Sequence, residues 1–383
     1  MRSEGAKDAV NGDRTIFGHM KVQDIMDVLE AWAPRILQED YDNCGLQVGD
    51  PQAEIENALV CLDPTEKVID EAIEKGCGLV ISHHPLIFKG LKSLTGRGYV
   101  ERTVLKAIKH DIAIFSIHTN VDNVLHGVNG EICDRLGLKK LHVLDPKPGQ
   151  LRKLAVFVPI DQAEKVRSAL FAAGAGNISA YSECSFNLEG TGTFKPGEGT
   201  NPFSGERGVR QHEPEVRVEV IFRPHLERAI LKAMVEAHPY EEVAYDLYPL
   251  LNHDRSIGSG MVGEFDQALN EKEFLDRLKN VFKLKVIRHT ALLDRPVKKV
   301  AVCGGSGSFL IGKAIASGAD AFVTGDVKYH QFFDADGRLL LADIGHYRSE
   351  QYTMDLIQRH LREKMPTFAV RLTDTVTDPI YHY

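Results

Sequence analysis

Two adjacent histidines are the residues of this sequence most clearly suited to metal binding or catalysis. They stand where a short apolar run ends. His83 and His84 follow residues 78–81, whose length and β-branched content predict a buried strand that Pro85 brings to an end. Past a strand end the backbone can turn, so both imidazoles can face one cleft and bind zinc, iron, copper or nickel. For this pair alone, one capped histidine and one solvent-facing histidine remain an alternative.

Carboxylates and a third histidine follow other apolar runs in the same way. Asp122, Asp326 and His346 each come after a predicted strand, and Glu350 lies four residues beyond His346 on one face of a helix. The carboxyl ends of parallel strands meet at one edge of an open sheet, where ligands bind. Three histidines, an aspartate and a glutamate suit a two-metal site with a bridging carboxylate. Singly, Asp122 could cap a helix, and His346 could pair with Glu350. Their joint occurrence after separate strands favours metal.

The pattern of elements indicates an α/β body that is interrupted by a second domain. Strands alternate with helices over residues 20–145 and again over residues 255–383, which predicts parallel pairing with right-handed crossovers. Residues 146–254 follow the order strand, helix, strands, helix, strand, which predicts an inserted ferredoxin-like α+β domain. Within it, residues 190–208 are rich in glycine and serine and predict a long exposed loop. Residues 1–19 are polar and predict a disordered extension.

The overall composition narrows the class of protein. The chain has 383 residues, 43% hydrophobic and 26% charged, with a net charge of −8. This is the composition of a globular protein, and the acidic balance argues against a non-specific nucleic-acid binder. Six cysteines without CxxC spacing predict reduced thiols and a cytoplasmic protein. No apolar run approaches a membrane span, and no secretory signal pattern is found, so we expect no membrane partner.

Five short motifs together resemble one known family, the NIF-three-like dinuclear-metal proteins, also called GTP cyclohydrolase 1 type 2 homologs. The resemblance covers both α/β halves. The motifs are Ser82-His83-His84-Pro85, His118-Thr119-Asn120-Val121-Asp122, Asp343-Ile344-Gly345-His346-Tyr347-Arg348-Ser349-Glu350, Asp42-Asn43-Cys44-Gly45-Leu46-Gln47-Val48-Gly49, and Thr324-Gly325-Asp326 with His330.

The resemblance implies a set of metal ligands and an assembly. It implies two divalent ions per subunit in a homohexameric toroid whose metal sites face an internal cavity. Glu350 would bridge the ions, and zinc is the first expectation, with iron, manganese, cobalt or nickel also compatible. The inserted domain, through residues 238–246, is similar to the PII/CutA-like insert of longer members. The implied ligands are His83, His84, Asp122, His346 and Glu350.

Two further histidines are candidates for acid–base or positioning roles. His118 lies four residues before Asp122 and could be a ligand, an orienting group or a proton shuttle. The family pattern favours a non-ligand near the site. His330 follows Asp326 and is a second acid–base or positioning candidate, the alternative being a residue on the surface of a helix.

A glycine-rich turn and two lysines could bind an anionic substrate. Residues 304–308, Gly-Gly-Ser-Gly-Ser, stand between a predicted strand and helix and could cradle a phosphate, although they match neither the dinucleotide nor the Walker pattern. The alternative is a tight turn with close backbone packing. Lys89 and Lys92 follow the histidine pair and could attract an anion, or simply face solvent.

These observations predict a metal-dependent hydrolase that acts on a nucleotide or a phosphorylated small molecule, with ring opening of GTP as one version. Two alternatives remain open. The protein could carry or deliver metal without catalysis, or the insert could act as a PII-like sensor that binds a small effector. A nucleic-acid partner ranks last because the chain is acidic.

Overall fold

The computed structural model describes residues 19–383, which form two compact units. The first unit contains residues 19–141 and 260–383, and the second contains residues 142–259. The boundaries predicted from the sequence, after residues 145 and 254, fall a few residues from these positions. The predicted disordered extension lies outside the described residues, apart from His19.

The strands position the residues of the site described below, which follow them in the chain. In chain order they are β1 (Met20–Lys21), β2 (Gly45–Val48), β3 (Glu54–Ile55), β4 (Asn57–Cys61), β5 (Leu79–Ser82), β6 (Ala113–Ser116), β7 (Lys139–Pro146), β8 (Arg152–Pro159), β9 (Ser185–Phe194), β10 (Gln211–Phe222), β11 (Tyr245–Pro249), β12 (Gly258–Leu269), β13 (Arg288–His289), β14 (Val297–Ser306), β15 (Ala321–Gly325), β16 (Leu340–Asp343) and β17 (Ala369–Leu372).

Helices connect most of these strands. They are α1 (Val22–Trp32), α2 (Glu66–Glu74), α3 (Tyr99–Lys109), α4 (Thr119–Asp122), α5 (Val128–Leu136), α6 (Ala163–Ala172), α7 (Glu227–Ala237), α8 (Glu271–Phe282), α9 (Ile311–Ala316), α10 (His346–Glu350) and α11 (Thr353–Lys364). A 3-10 helix spans Tyr329–Ala335. No helix among the described residues combines the length and the apolar character needed to cross a membrane.

The first unit contains two mixed sheets, each with a run of parallel strands. One has the order β17-β4-β5-β6-β2, in which β17, β4, β5 and β6 are parallel and β2 is antiparallel. The other has the order β13-β16-β15-β14-β12-β7, with β14, β15 and β16 parallel. The predicted α/β class is therefore confirmed, and the parallel strands come from the apolar runs that predicted them.

The parallel strands are buried because helices cover them. Leu59 of β4, Val80 of β5 and Ile114 of β6 are fully buried in one cluster with Val68 of α2 and Val104 of α3. A fully buried aliphatic side chain stabilises the fold by roughly 1.5–3 kcal/mol. Strands buried on both faces read as continuous apolar runs, which is why the sequence marked them clearly.

The second unit has the connectivity predicted from the sequence. Its four strands lie in the antiparallel order β11-β8-β10-β9, with α6 after β8 and α7 after β10. This βαββαβ order is the ferredoxin-like arrangement. One face of the sheet is packed by the helices: Val156, Val218 and Val220 are buried there with Val166 of α6 and Ile230 of α7.

The prediction of a loop over residues 190–208 was wrong for its first part. Residues up to Phe194 belong to β9, which pairs with β10 in the register Gly190 to Glu215. Glycine content predicted the loop, but backbone pairing with a long neighbouring strand holds these glycines extended. The irregular segment begins after Phe194.

Candidate metal centre

The five ligands predicted from the sequence lie together in the first unit, at the carboxyl ends of parallel strands from both sheets. His83 and His84 directly follow β5, and Asp122 ends α4, the short helix after β6. His346 and Glu350 begin and end α10, which follows β16 of the other sheet. The edge that binds ligands in parallel sheets is thus supplied here by two sheets.

One ligand group consists of His83, Asp122 and Glu350. The Nε2 atom of His83 lies 3.8 Å from Oδ1 of Asp122 and 3.7 Å from Oε1 of Glu350. Nε2 of His83 and Oδ1 of Asp122 are buried and have no hydrogen-bond partner among the described residues. Buried polar atoms are rarely left without partners. Ligands of a tetrahedral ion lie roughly 3.4 Å apart, so these separations fit a shared ion.

The second ligand group consists of His84, His346 and the other oxygen of Glu350. Oε2 of Glu350 lies 3.0 Å from Nε2 of His84 and 3.1 Å from Nε2 of His346. The two Nε2 atoms are 3.1 Å apart. The two oxygens of Glu350 therefore face different nitrogen atoms: Oε1 faces His83, and Oε2 faces His84 and His346.

Each imidazole of these groups is held through its Nδ1 atom. His83 contacts the carbonyl oxygen of Ile117 at 3.0 Å. His84 contacts Asp63, and His346 contacts Asp326, both at 2.7 Å. An acceptor at Nδ1 fixes the tautomer and turns the Nε2 lone pair toward a metal ion.

His118 is held in the same way, next to the first two histidines. Its Nδ1 atom lies 2.8 Å from Oδ1 of Asp42, and its ring packs edge-on against those of His83 and His84. Its ligand atom lies within 4.8 Å of theirs, so the geometry allows either a ligand or a proton-transfer role. Asp42 also accepts hydrogen bonds from the Thr119 hydroxyl and the Asn43 amide, which fix the carboxylate.

The glycine-rich turn packs against the carboxylate of Glu350 and does not form a phosphate cradle. A Cβ atom at Gly305, where φ is +63°, would lie 2.3 Å from Oε1 of Glu350. The Gly305 amide donates to the hydroxyl of Ser349, and the Gly307 amide donates to Thr324. With these amides engaged inside the protein, close packing is the correct interpretation of this turn.

Burial and neighbouring charges shift the pKa values of the candidate histidine ligands in opposite directions. Burial lowers the pKa of His83 to about 4. Burial alone would also lower the pKa of His84 and His346. Hydrogen bonds to Asp63, Glu350 and Asp326 instead raise these values, to about 10 for His84 and about 9 for His346.

The two carboxylates of the ligand groups differ in the same way. Burial and the nearby charge of Glu350 raise the pKa of Asp122 well above its usual range. Burial alone would raise the pKa of Glu350, but attraction to the surrounding imidazoles holds it well below its usual range. Without metal, His84, His346 and Asp122 therefore tend to be protonated, and a cation that binds them must displace these protons.

One predicted residue, His330, lies outside the ligand groups, and one residue that orients a candidate ligand, Asp63, was not predicted. His330 is exposed on the 3-10 helix and packs against Tyr329 and Phe333, and it belongs to neither ligand group. Asp63, which orients His84, was not singled out from the sequence. Its position directly after the apolar run of β4 was the available signal.

The fold and the site define a class of protein, an α/β body with a candidate metal centre at the ends of its parallel strands. The centre consists of two groups of histidines and carboxylates that share Glu350. The chain belongs to the Duf34/NIF3 (NGG1p interacting factor 3) family, whose model matches residues 20–379. The family predicted from the sequence motifs is thereby confirmed.

Known relatives and structures resemble the chain over nearly its whole length. The "GTP cyclohydrolase 1 type 2 homolog" of Halalkalibacterium halodurans is 41% identical over 363 residues, 93% of this chain and 97% of the relative. The Bacillus subtilis protein of the same name is 40% identical, with the same coverage. The crystal structure of a Bacillus cereus protein related to NIF3 has a TM-score of 0.84 at 39% identity and covers 95% of this chain and 99% of that chain.

Replacing Asp63 with asparagine is expected to weaken the affinity of the deprotonated site for metal by roughly 10–100-fold, because the carboxylate that holds Nδ1 of His84 becomes a neutral amide, which is a weaker acceptor. The measurement is competition with a chelator of known affinity. Asp70→Asn is the matched control, since Asp70 pairs with Lys106 on the surface. Equal affinity in the two variants would contradict the orienting role.

Proposed function

We propose that the chain binds two divalent metal ions and uses them to hydrolyse a nucleotide or a phosphorylated small molecule. His83 and Asp122 would hold one ion, His84 and His346 would hold the other, and Glu350 would contact both. One observation carries this proposal: the two oxygens of Glu350 face two separate groups of nitrogen and oxygen ligands.

The donor set narrows the choice of metal. Imidazole and carboxylate ligands suit zinc, which we place first, and also iron, manganese, cobalt or nickel. Cys303 lies in β14, and it belongs to none of the candidate ligand groups among the described residues. A thiolate-rich site for softer metals is therefore not part of the proposal.

Divalent ions at these positions would supply Lewis acidity and would lower the pKa of a coordinated water. The protein's own residues would manage the protons. With Nδ1 held by Asp42, the Nε2 atom of His118 is free to accept or donate a proton beside His83 and His84. This makes His118 the better placed of the two acid–base candidates, because His330 packs only with aromatic rings on the surface.

Exposed aromatic rings next to His118 favour a planar substrate. Phe88 packs edge-on against His118, with ring centroids 6.3 Å apart, and Tyr41 lies 6.2 Å from Phe88. Exposed aromatic faces are good surfaces for stacking a nucleobase. Lys89 follows Phe88 directly and could meet a phosphate, and the names of the curated relatives make GTP the first nucleotide to test.

The experiment is a turnover assay on protein of known metal content, with GTP, other nucleotides and simple phosphoesters. We expect hydrolysis of at least one of them, and a decrease in kcat of about 10²- to 10⁴-fold in His118→Gln at unchanged metal content. His330→Gln tests the second candidate in the same assay, and His110→Gln, at an exposed position, is the control. Turnover no faster than that of the free metal would contradict the hydrolase proposal.

Partial exposure of one ligand group favours metal delivery as the second candidate function. The side chain of His346 is 33% exposed, whereas that of His83 in the other group is 0% exposed. An ion in that group could exchange with a client protein. Reversible metal transfer without turnover would support this function over hydrolysis.

We also propose a homohexamer in the cytoplasm, with no membrane or nucleic-acid partner. The hexamer rests on the family resemblance, and light scattering of the purified protein would measure it. The cytoplasmic location is supported by the cysteines, all six of which are free thiols.

A further inference from the structure

A cavity of about 610 Å³ lies in the second unit, remote in sequence from the metal ligands. It occupies the face of the sheet opposite α6 and α7. Along β10, Val216, Val218 and Val220 point into the helix-covered core, so Glu215 and Arg217 point to the other face. Its volume is within the usual range for small-molecule sites, about 300–1,000 Å³.

Glycines in β9 keep the floor of this cavity open. A Cβ atom at Gly190 would meet nothing within 4 Å. A Cβ atom at Gly192 would lie 2.1 Å from Oε2 of Glu215, so a larger residue would displace that carboxylate. Glycine in a strand interior often marks the close approach of a ligand or another backbone.

Aromatic rings form the walls. The ring of Tyr240 lies 6.0 Å from that of Phe194 and 6.1 Å from that of Phe203, and Phe157 also lines the cavity. Phe203 is 51% exposed even though it belongs to this aromatic group. Such walls suit a flat ring, which aromatic side chains contact by stacking or edge-on packing.

Two polar side chains converge on the same space. Glu215 is 8% exposed and accepts a hydrogen bond from the Tyr240 hydroxyl through Oε1, while Oε2 lies beside Gly192. Arg217 donates through Nη2 to Glu219, but its Nε–H is buried without a partner among the described residues. Oε2 of Glu215 can therefore accept a hydrogen bond from a ligand, and the Nε–H of Arg217 can donate one.

We propose that this cavity binds a planar amino-substituted heteroaromatic molecule, a nucleobase or nucleoside without phosphates. The exocyclic amino group would donate to Glu215, and a ring nitrogen or carbonyl oxygen would accept from Arg217. The charges of the lining argue against a phosphorylated ligand, because four carboxylates outnumber two cations. These residues are Glu189, Glu215, Glu241, Glu242, Lys195 and Arg217.

This site is independent of the metal centre and of the proposed hydrolase activity. The test is calorimetric titration of the metal-loaded full-length protein with adenosine, guanosine and cytidine, each of which carries an exocyclic amino group. We expect at least one of them to bind with a Kd below about 1 mM. ATP should bind this site more weakly than adenosine because of the acidic lining.

Substitutions in the cavity test whether the nucleosides bind there. Gly190→Val places a side chain into the cavity at a strand position that accepts β-branched residues, and should weaken binding at least about tenfold. Phe203→Ser removes part of an exposed wall with little risk to folding and should also weaken binding. Asn187→Val is the control on the same strand, since Asn187 accepts from Arg167 on the helix side of the sheet.

Three results would overturn the proposal: no binding of any of the three nucleosides, binding that survives both Gly190→Val and Phe203→Ser, or tighter binding of ATP than of adenosine at this site. Unchanged metal content and unfolding temperature in the variants would show that loss of binding reflects the cavity. Failure of this proposal would leave the metal centre and its turnover assay untouched.

Discussion

Replacing Glu350 with glutamine is expected to reduce the metal content from about two ions per chain to below one, and to abolish any metal-dependent hydrolysis. The reason is geometric, since each oxygen of Glu350 faces a separate ligand group. Glutamine keeps the shape of the side chain, but it removes the charge that balances two cations. Elemental analysis of protein purified without added metal measures the effect.

The loss should be specific to the bridging position. Glu363→Gln, at an exposed position on α11, is the matched control and should keep its full metal content. His83→Ala should empty the group that contains Asp122 more than the other group. Full metal occupancy in Glu350→Gln would show that the carboxylate is not a ligand, and would remove the main support for a two-metal site.

Metal affinity is expected to rise steeply with pH, by roughly 100-fold per pH unit between about pH 6.5 and about pH 8.5 for the ion at His84 and His346. In the metal-free protein the pKa of His84 is raised to about 10 and that of His346 to about 9, so both imidazoles are protonated at neutral pH. A metal binds only neutral imidazole, so the ion that enters at His84 and His346 releases two protons. The dependence should flatten once the pH exceeds these pKa values.

Calorimetry in two buffers with different ionisation enthalpies would count the released protons directly. His83, whose pKa is lowered to about 4, is already neutral and contributes none. Asp63→Asn removes the carboxylate charge that helps to raise the pKa of His84, so the slope for this variant should fall toward tenfold per pH unit. An affinity that does not change over this pH range would contradict the proposed protonation states.

The proximity of the candidate ligands could be predicted because their signal is local. His83, His84 and His346 each follow an apolar run that is typical of a buried strand, and Glu350 lies one helical turn beyond His346. The carboxyl ends of parallel strands converge whatever the details of packing, so residue type and position after a strand were enough. The order of elements in the second unit was predictable for the same reason.

Other features depend on contacts between residues that are far apart in the sequence. The orienting aspartates show this, because Asp63 lies 21 residues before His84, and only the folded chain brings the two side chains to 2.7 Å. The turn at Gly305 was equally ambiguous until the packing of Glu350 against it showed why glycine is required there. The strand character of Gly190 likewise came from its pairing with Glu215.

The sequence by itself determined which residues are candidates for binding metal, because their types and their positions after strands are local properties of the chain. The tertiary structure alone decided that two separate sheets supply the ligands, that Glu350 faces both groups, and that glycines, aromatic rings and a buried carboxylate surround a cavity in the second unit. The physical reason is that such features arise from packing between distant segments, which no periodicity along the chain records.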